Sequence, residues 1–211
     1  MKFQLALDTF ELDKAIDIAQ KLEEYIDVFE AGTPMVLRYG SRAIIELRKN
    51  FPKHDILADY KMMDAGDYEA DIAFSAGASL VTVCGAANMA TIEGAIRQSK
   101  ERNTGVIIDM ISAEGLEEKL ARYDSLGAAY IQIHTATDGR GDKSPLEELE
   151  VAARVLKQTP YSVAGGIGLH SIREIAKLSP SLVVLGSQLL AAKDRLSEMK
   201  AIIKVTEEVN A

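Results

Sequence analysis

Asp59, Lys61 and Asp64 stand in the pattern D-x-K-x-x-D within the stretch Ile56-Leu57-Ala58-Asp59-Tyr60-Lys61-Met62-Met63-Asp64-Ala65-Gly66. Positions i and i+2 of an extended segment point to one side. Asp59 and Lys61 are therefore expected to face each other at the end of a short apolar strand. A carboxylate beside an ammonium in such a place can bind a metal or steer a proton. Asp64 lies past the strand, where Ala65-Gly66 opens a new element, and can turn elsewhere. Taken alone, D-x-K is more simply a surface ion pair, and the rest of the chain has to change that reading.

Other groups of catalytic type recur at the ends of apolar runs. Asp8, Glu30 and Asp109 each close one, and His134 closes another. Glu30 and Asp59 fall on neighbouring runs, and two carboxylates converging with water make the hard oxygen environment that Mg²⁺ prefers. The competing reading is that both pair with Lys61 and bind no metal. His134 has the near-neutral ionisation of a general base or acid; the alternative is a packed, hydrogen-bonded core histidine. His54 and His170 fall in connections and read as surface residues. Gly165-Gly166 and Gly186-Ser187 follow the last two runs. Glycine there lets backbone N–H groups approach an anion, and a following helix start adds favourable potential. Cys84 reads as a small core residue rather than a nucleophile.

These residues need a scaffold that brings strand ends together. Eight apolar runs read as strands: Phe3–Asp8, Tyr25–Glu30, Asp55–Asp59, Leu80–Cys84, Val106–Asp109, Ala129–His134, Tyr161–Ala164 and Leu182–Leu185. Helical periodicity lies between them, as in Leu12, Ala15, Ile16, Ala19 and Leu22. Ala31 to Pro34 reads as a loop, Ser144-Pro145 as a capped helix start, and the chain after Ser187 as helical. Strands alternating with helices demand parallel pairing through crossovers. Eight units fit an α/β fold of one kind, a single (β/α)8 TIM barrel over residues 1–211, whose sites lie at the C-terminal strand ends. An open doubly wound sheet is the runner-up; it usually carries a phosphate fingerprint early in the chain, which is absent here.

The bulk properties narrow the partners. The chain has 211 residues and a net charge of −8. No dense Lys/Arg block stands out, so nucleic acid is not an expected partner. No apolar run approaches the ~20 residues of a membrane span. One cysteine excludes an internal disulfide and, with no signal-peptide pattern at Met1-Lys2, leads to a cytoplasmic expectation.

The chain resembles the orotidine 5′-monophosphate decarboxylase superfamily of barrels, whose signature is this D-x-K-x-x-D. Within it, the chain is similar to the 3-hexulose-6-phosphate synthase family. The resemblance is carried by Phe29-Glu30-Ala31-Gly32-Thr33-Pro34, Ala58 to Gly66, Glu69 to Phe74, Gly77-Ala78, Leu80 to Val83 and Ser162-Val163-Ala164-Gly165-Gly166. It implies an aldol addition of formaldehyde to D-ribulose 5-phosphate with Mg²⁺, through an enediolate. It further implies that Glu30 and Asp59 hold the metal, and that His134 removes the C1 proton. Lys61 would add positive charge beside the oxyanion, and Asp8 would orient sugar hydroxyls. Gly165, Gly166, Gly186 and Ser187 would cradle the phosphate. Asp64 would enter the site of a partner subunit in a homodimer with shared active sites. The related 3-keto-L-gulonate 6-phosphate decarboxylases differ at three places, and Asp109, Thr137 and Ala164 side with the synthase. Asp109 and Ala164 thereby join the candidate catalytic and substrate-binding residues. A barrel that binds a sugar phosphate without turnover is the remote alternative. Some relatives grip the phosphate with an Arg where this chain has Ser187, which leaves backbone amides or Arg195 to supply that contact.

Overall fold

The structure is a computed structural model that describes residues 1–8, 11–138 and 144–210. Eight strands run β1 (Lys2–Leu7), β2 (Val28–Ala31), β3 (Asp55–Met62), β4 (Leu80–Cys84), β5 (Gly105–Asp109), β6 (Tyr130–His134), β7 (Tyr161–Ala164) and β8 (Leu182–Leu185). Every neighbouring pair is parallel, and β8 returns to β1 to close the barrel. The helices are α1 (Leu12–Leu22), α2 (Thr33–Tyr39), α3 (Ser41–Asn50), α4 (Gly66–Ser75), α5 (Met89–Arg102), α6 (Leu116–Tyr123), α7 (Leu146–Val155), α8 (Ile172–Lys177), α9 (Ser187–Ala191) and α10 (Arg195–Asn210). The α/β reading and the single TIM barrel architecture both hold.

Parallel strands covered on both faces need apolar residues at almost every position. Leu5, Phe29, Ile56, Val81, Ile108, Ile131, Val163 and Val183 point outward under the helices and are completely buried. Their alternates point into the barrel. There Val28, Leu57, Leu80, Ile107 and Leu182 form an apolar floor. Above the floor the interior turns polar, with Gln4, Glu30, Asp59, Thr82, Asp109, Gln132 and Ser162 all buried. Of these polar residues, Glu30, Asp59 and Gln132 line a cleft at the C-terminal ends of the strands.

Several local readings are corrected. The second strand begins at Val28, because Glu23–Tyr25 form a 3-10 turn. The loop expected at Ala31–Pro34 is the start of α2: Pro34 sits in its first turn, where no intrahelical N–H is lost, and Gly40 ends it at φ +55°. Helix α7 begins at Leu146, and the Ser144 hydroxyl meets the Leu146 N–H only at 3.4 Å. The C-terminal helical stretch is two helices, α9 and α10. His54 is not a free surface group: its ring packs edge-on to Phe29 at 5.1 Å, beside Phe51.

The most consequential difference is in β3. It runs on to Met62 rather than ending at Asp59, and its register against β4 shifts between Ala58 and Met62. Four residues of β3 are spent against two of β4, from Val81 to Val83. Lys61 takes up the bulge with φ +47°, in the left-handed region that a side chain seldom occupies. Such strain costs on the order of 1–3 kcal/mol and clusters at functional sites.

Candidate active site

A cleft of about 520 Å³ opens at the C-terminal face of the barrel. Asp8, Glu30, Asp59, Lys61, His134, Ala164, Gly165, Gly166, Gly186 and Ser187 all line it. The strand ends that the sequence singled out therefore do converge.

The bulge in β3 brings Asp59 and Lys61 into direct contact. The Lys61 ammonium donates to Asp59 Oδ2. Thr33 Oγ1 lies 2.6 Å from the same oxygen, and Thr82 Oγ1 donates to Asp59 Oδ1 at 2.8 Å. Thr82 also accepts the Lys61 backbone N–H at 2.8 Å, which pins the bulge itself. Burial pushes the Asp59 carboxyl up, but the Lys61 charge and these donors outweigh it and hold the group below the usual range. Burial likewise works against the Lys61 ammonium, and Asp59 and Asp109 outweigh it, so its pKa is raised. Lys61 therefore stays protonated throughout the physiological range.

Lys61 also faces a second acid. Its Nζ lies 3.9 Å from Asp109 Oδ2, at the end of β5. Asp109 is completely buried and accepts the Ile111 N–H at 3.0 Å. Its two oxygens lie 3.1 and 2.9 Å from His134 Nδ1, at the end of β6. An imidazole so placed carries its proton on Nδ1 against the carboxylate, leaving Nε2 as the free base. His134 is thus an imidazole held at Nδ1 by a buried carboxylate, with its ring at the cleft.

Glu30 ends up 7% exposed on β2. Burial first, then the Asp59 and Asp8 carboxylates, push its carboxyl well above the usual range. Asp8, just past β1 at the open edge, is raised by its surroundings and by Asp59. Asp8, Glu30 and Asp59 thus line one cleft in which Lys61 is the nearest positive charge to all three. Among the described residues no three groups of His, Cys, Asp or Glu type are arranged to hold an ion by themselves. Two carboxylates fit Mg²⁺ on one condition: water and substrate oxygens must complete its shell, which is how Mg²⁺ is usually held.

Around β1, β7 and β8 the lining of the mouth is made of small residues. Ala6, Ala164 and Val184 form a small apolar wall. Gly165 and Gly166 have φ of +106° and +71°. A Cβ on Gly165 would run into the Thr135 backbone, 2.9 Å from its nitrogen. Gly186 and Ser187 lie alongside on the last strand's end. Helix α9 is only five residues long, so its dipole would add little for an anion; the donors these lining residues could offer one are loop N–H groups and the Ser187 hydroxyl. Arg195 does not line the cleft; its Nε donates to the Leu190 carbonyl at 2.8 Å and closes α9.

Asp64 is the candidate that its own chain does not bring in. It is exposed, accepts the neighbouring Ala65 N–H at 2.8 Å and does not line the cleft. Cys84 is buried with its thiol pushed up to about 11, chiefly by burial and then by Asp109, which agrees with a non-nucleophilic role. Sequence reasoning missed Thr33, Thr82 and Gln132. Thr82 and Gln132 had one available signal: each is a polar residue at an inward position of an otherwise apolar strand.

Residues 1–202 match the family model described as Orotidine 5'-phosphate decarboxylase / HUMPS family. The chain is 39% identical over 207 residues to a 3-hexulose-6-phosphate synthase of Bacillus subtilis (strain 168), covering 96% of this chain and 99% of that one. The crystal structure of 3-hexulose-6-phosphate synthase from Salmonella typhimurium superposes with a TM-score of 0.95 at 34% identity, over 99% of this chain and 100% of that one. The 3-keto-L-gulonate-6-phosphate decarboxylase of Vibrio cholerae O1 biovar El Tor str. N16961 gives 0.87 at 25% identity, over 99% and 98%.

Proposed function

The chain belongs to the orotidine 5′-phosphate decarboxylase / HUMPS family, as an enzyme on its 3-hexulose-6-phosphate synthase side, and from that premise we propose its reaction. The barrel mouth adds formaldehyde to D-ribulose 5-phosphate, giving D-arabino-3-hexulose 6-phosphate. The observation that carries this reading is the row Asp59–Lys61–Asp109–His134 across three strands, in which a fixed cation stands between a metal-type carboxylate and an oriented base.

His134 Nε2 takes a proton from C1 of the sugar, beside its C2 carbonyl, and the Asp109 carboxylate balances the charge of the imidazolium that forms. The electron pair left behind spreads onto the carbonyl oxygen as an enediolate. The Lys61 ammonium, preorganised by two carboxylates, faces that charge as it develops. C1 then attacks the formaldehyde carbon, a new C–C bond forms, and His134 returns its proton to the former aldehyde oxygen. Asp8 accepts from sugar hydroxyls at the open edge, and the loops at Gly165-Gly166 and Gly186-Ser187 hold the phosphate through backbone N–H groups. Glu30 and Asp59 would hold Mg²⁺, which when bound acts as a Lewis acid toward the sugar oxygens.

The same base and cation could serve the related decarboxylation of a keto-gulonate phosphate. Against it, Thr137 lines the cleft at the place where that branch has an arginine, and no arginine lines the cleft among the described residues. The test follows formaldehyde consumption with ribulose 5-phosphate, with EDTA and then with Mg²⁺ restored, beside CO₂ release from 3-keto-L-gulonate 6-phosphate. Formaldehyde loss that EDTA stops and Mg²⁺ revives supports the reading; CO₂ release alone would replace it with the decarboxylase.

The site is completed by a second copy. Asp64 does not line its own cleft, and the elements around it, α2, α3, α4 and the turn after β3, expose Leu37, Ile45, Met63, Tyr68 and Ile72. Exposed apolar residues on adjacent elements mark an interface. A symmetric dimer through this face carries each Asp64 toward the partner's site. No described helix is long and apolar enough to cross a membrane, and the cysteine usage fits the cytoplasm.

A further inference from the structure

Below the mouth, the barrel interior holds a buried amide on β1, at Gln4. Barrel interiors are ordinarily filled by branched aliphatic side chains. Gln4 on β1 is 1% exposed and does not line the cleft, so it cannot touch a substrate. Its Nε2 donates to Glu30 Oε2 at 2.5 Å. Among the described residues it is the one hydrogen-bond donor to that carboxyl, whereas Asp59 has several. No protein group among the described residues partners Gln4 Oε1. The fold therefore buries an amide and satisfies only the half that faces Glu30. A half-satisfied buried amide costs stability that an aliphatic residue would not.

We propose that Gln4 is a positioning residue for Glu30: by holding Oε2 it fixes the plane of the carboxylate and turns the rest of the group toward the cleft and Asp59. The inference rests on the metal reading given above. Partners of this kind, one bond behind a ligand, set the ligand's orientation and thereby the affinity for the ion.

The test is Mn²⁺ binding to the full chain, followed by the EPR signal of the free ion, with metal-free melting temperature alongside. Gln4→Leu is expected to weaken Mn²⁺ binding about 10–100-fold while the metal-free protein melts at the same temperature or higher. Gln4→Met, unbranched and close in volume, serves if Gln4→Leu does not fold. In a Glu30→Gln background the Gln4 substitution is expected to cause no further loss, because its effect passes through Glu30. Unchanged Mn²⁺ affinity in the folded Gln4 variants overturns the proposal, whether or not they melt lower. Absence of Mn²⁺ binding to the unsubstituted protein is a different result: it overturns the metal reading itself, and this proposal with it.

Discussion

His134 Nδ1 lies 2.9 Å from Asp109 Oδ2, across the parallel pair β5–β6. Asp109 has no solvent exposure, while His134 faces the cleft. The pair therefore has an inside and an outside, and only the imidazole can reach a substrate.

His134→Ala removes the base. The expected loss is about 10²–10⁴-fold in kcat, with ribulose 5-phosphate affinity nearly kept, measured by steady-state assay and by calorimetric titration of the sugar. Asp109→Asn should fall in the same range, since an amide no longer selects the tautomer with Nε2 free. Full activity in Asp109→Asn would refute the oriented-base role.

Glu30 leads to a prediction about stability and pH. Its carboxyl is raised in the folded protein, so between its ordinary value and its raised one the folded state holds the proton more firmly than the unfolded chain does. Stability from this group is present at low pH and is lost as pH rises through the folded value. Metal-free protein should therefore melt lower as pH climbs through that window, and Mg²⁺ should remove the slope. Glu30→Gln should flatten the profile too, raise the metal-free stability by about 1 kcal/mol, and abolish synthesis.

Lys61 joins two acids, so its loss should be costly twice. Lys61→Ala leaves Asp59 buried and unpaired, a change expected to cost about 3–5 kcal/mol, read by urea denaturation. It should also lower kcat more than it raises KM, because the ammonium acts on charge that exists only during the reaction. A variant as stable as the parent would contradict the charge balance described here.

At the phosphate end, Ser187→Ala should raise KM for ribulose 5-phosphate by about 10-fold, the worth of one hydrogen bond to a charged group. Arg195→Ala should leave KM unchanged, because that guanidinium closes α9. The reverse pattern would place the arginine at the phosphate.

The shared-site dimer can be tested by mixing. Asp64→Ala and His134→Ala are each expected to be nearly inactive alone. Random reassembly from the two makes half the dimers hybrid, each with one intact site, so about a quarter of the parental activity should return. No recovery on mixing, or a monomer by sedimentation, would remove Asp64 from the site.

The barrel was legible because its strands are bounded by strong signals. Strands β7 and β8 start after Pro160 and Ser181 and break at Gly165 and Gly186, and both match their expected limits. Helix α2 was not legible, because Gly32 and Pro34 are loop residues by composition and the helix has only seven residues to show a period. The D-x-K pairing was anticipated on the rule that alternate residues share a face, yet the contact is made through a bulge with Lys61 at positive φ. The rule pointed to the right pair, but local pattern does not encode the register shift against β4. Pairing of His134 with Asp109 was out of reach for a similar reason. Each was visible as a strand end, and only the β5–β6 register brings them together.

One ammonium, on Lys61, answers to both halves of this mouth: to Asp59 on the side suited to an ion, and to Asp109 behind the base. Editing either half would disturb the other through that common counter-charge. New chemistry on this scaffold is therefore easier to reach from the uncharged lining at Ala164 and Val184 than from either charged half.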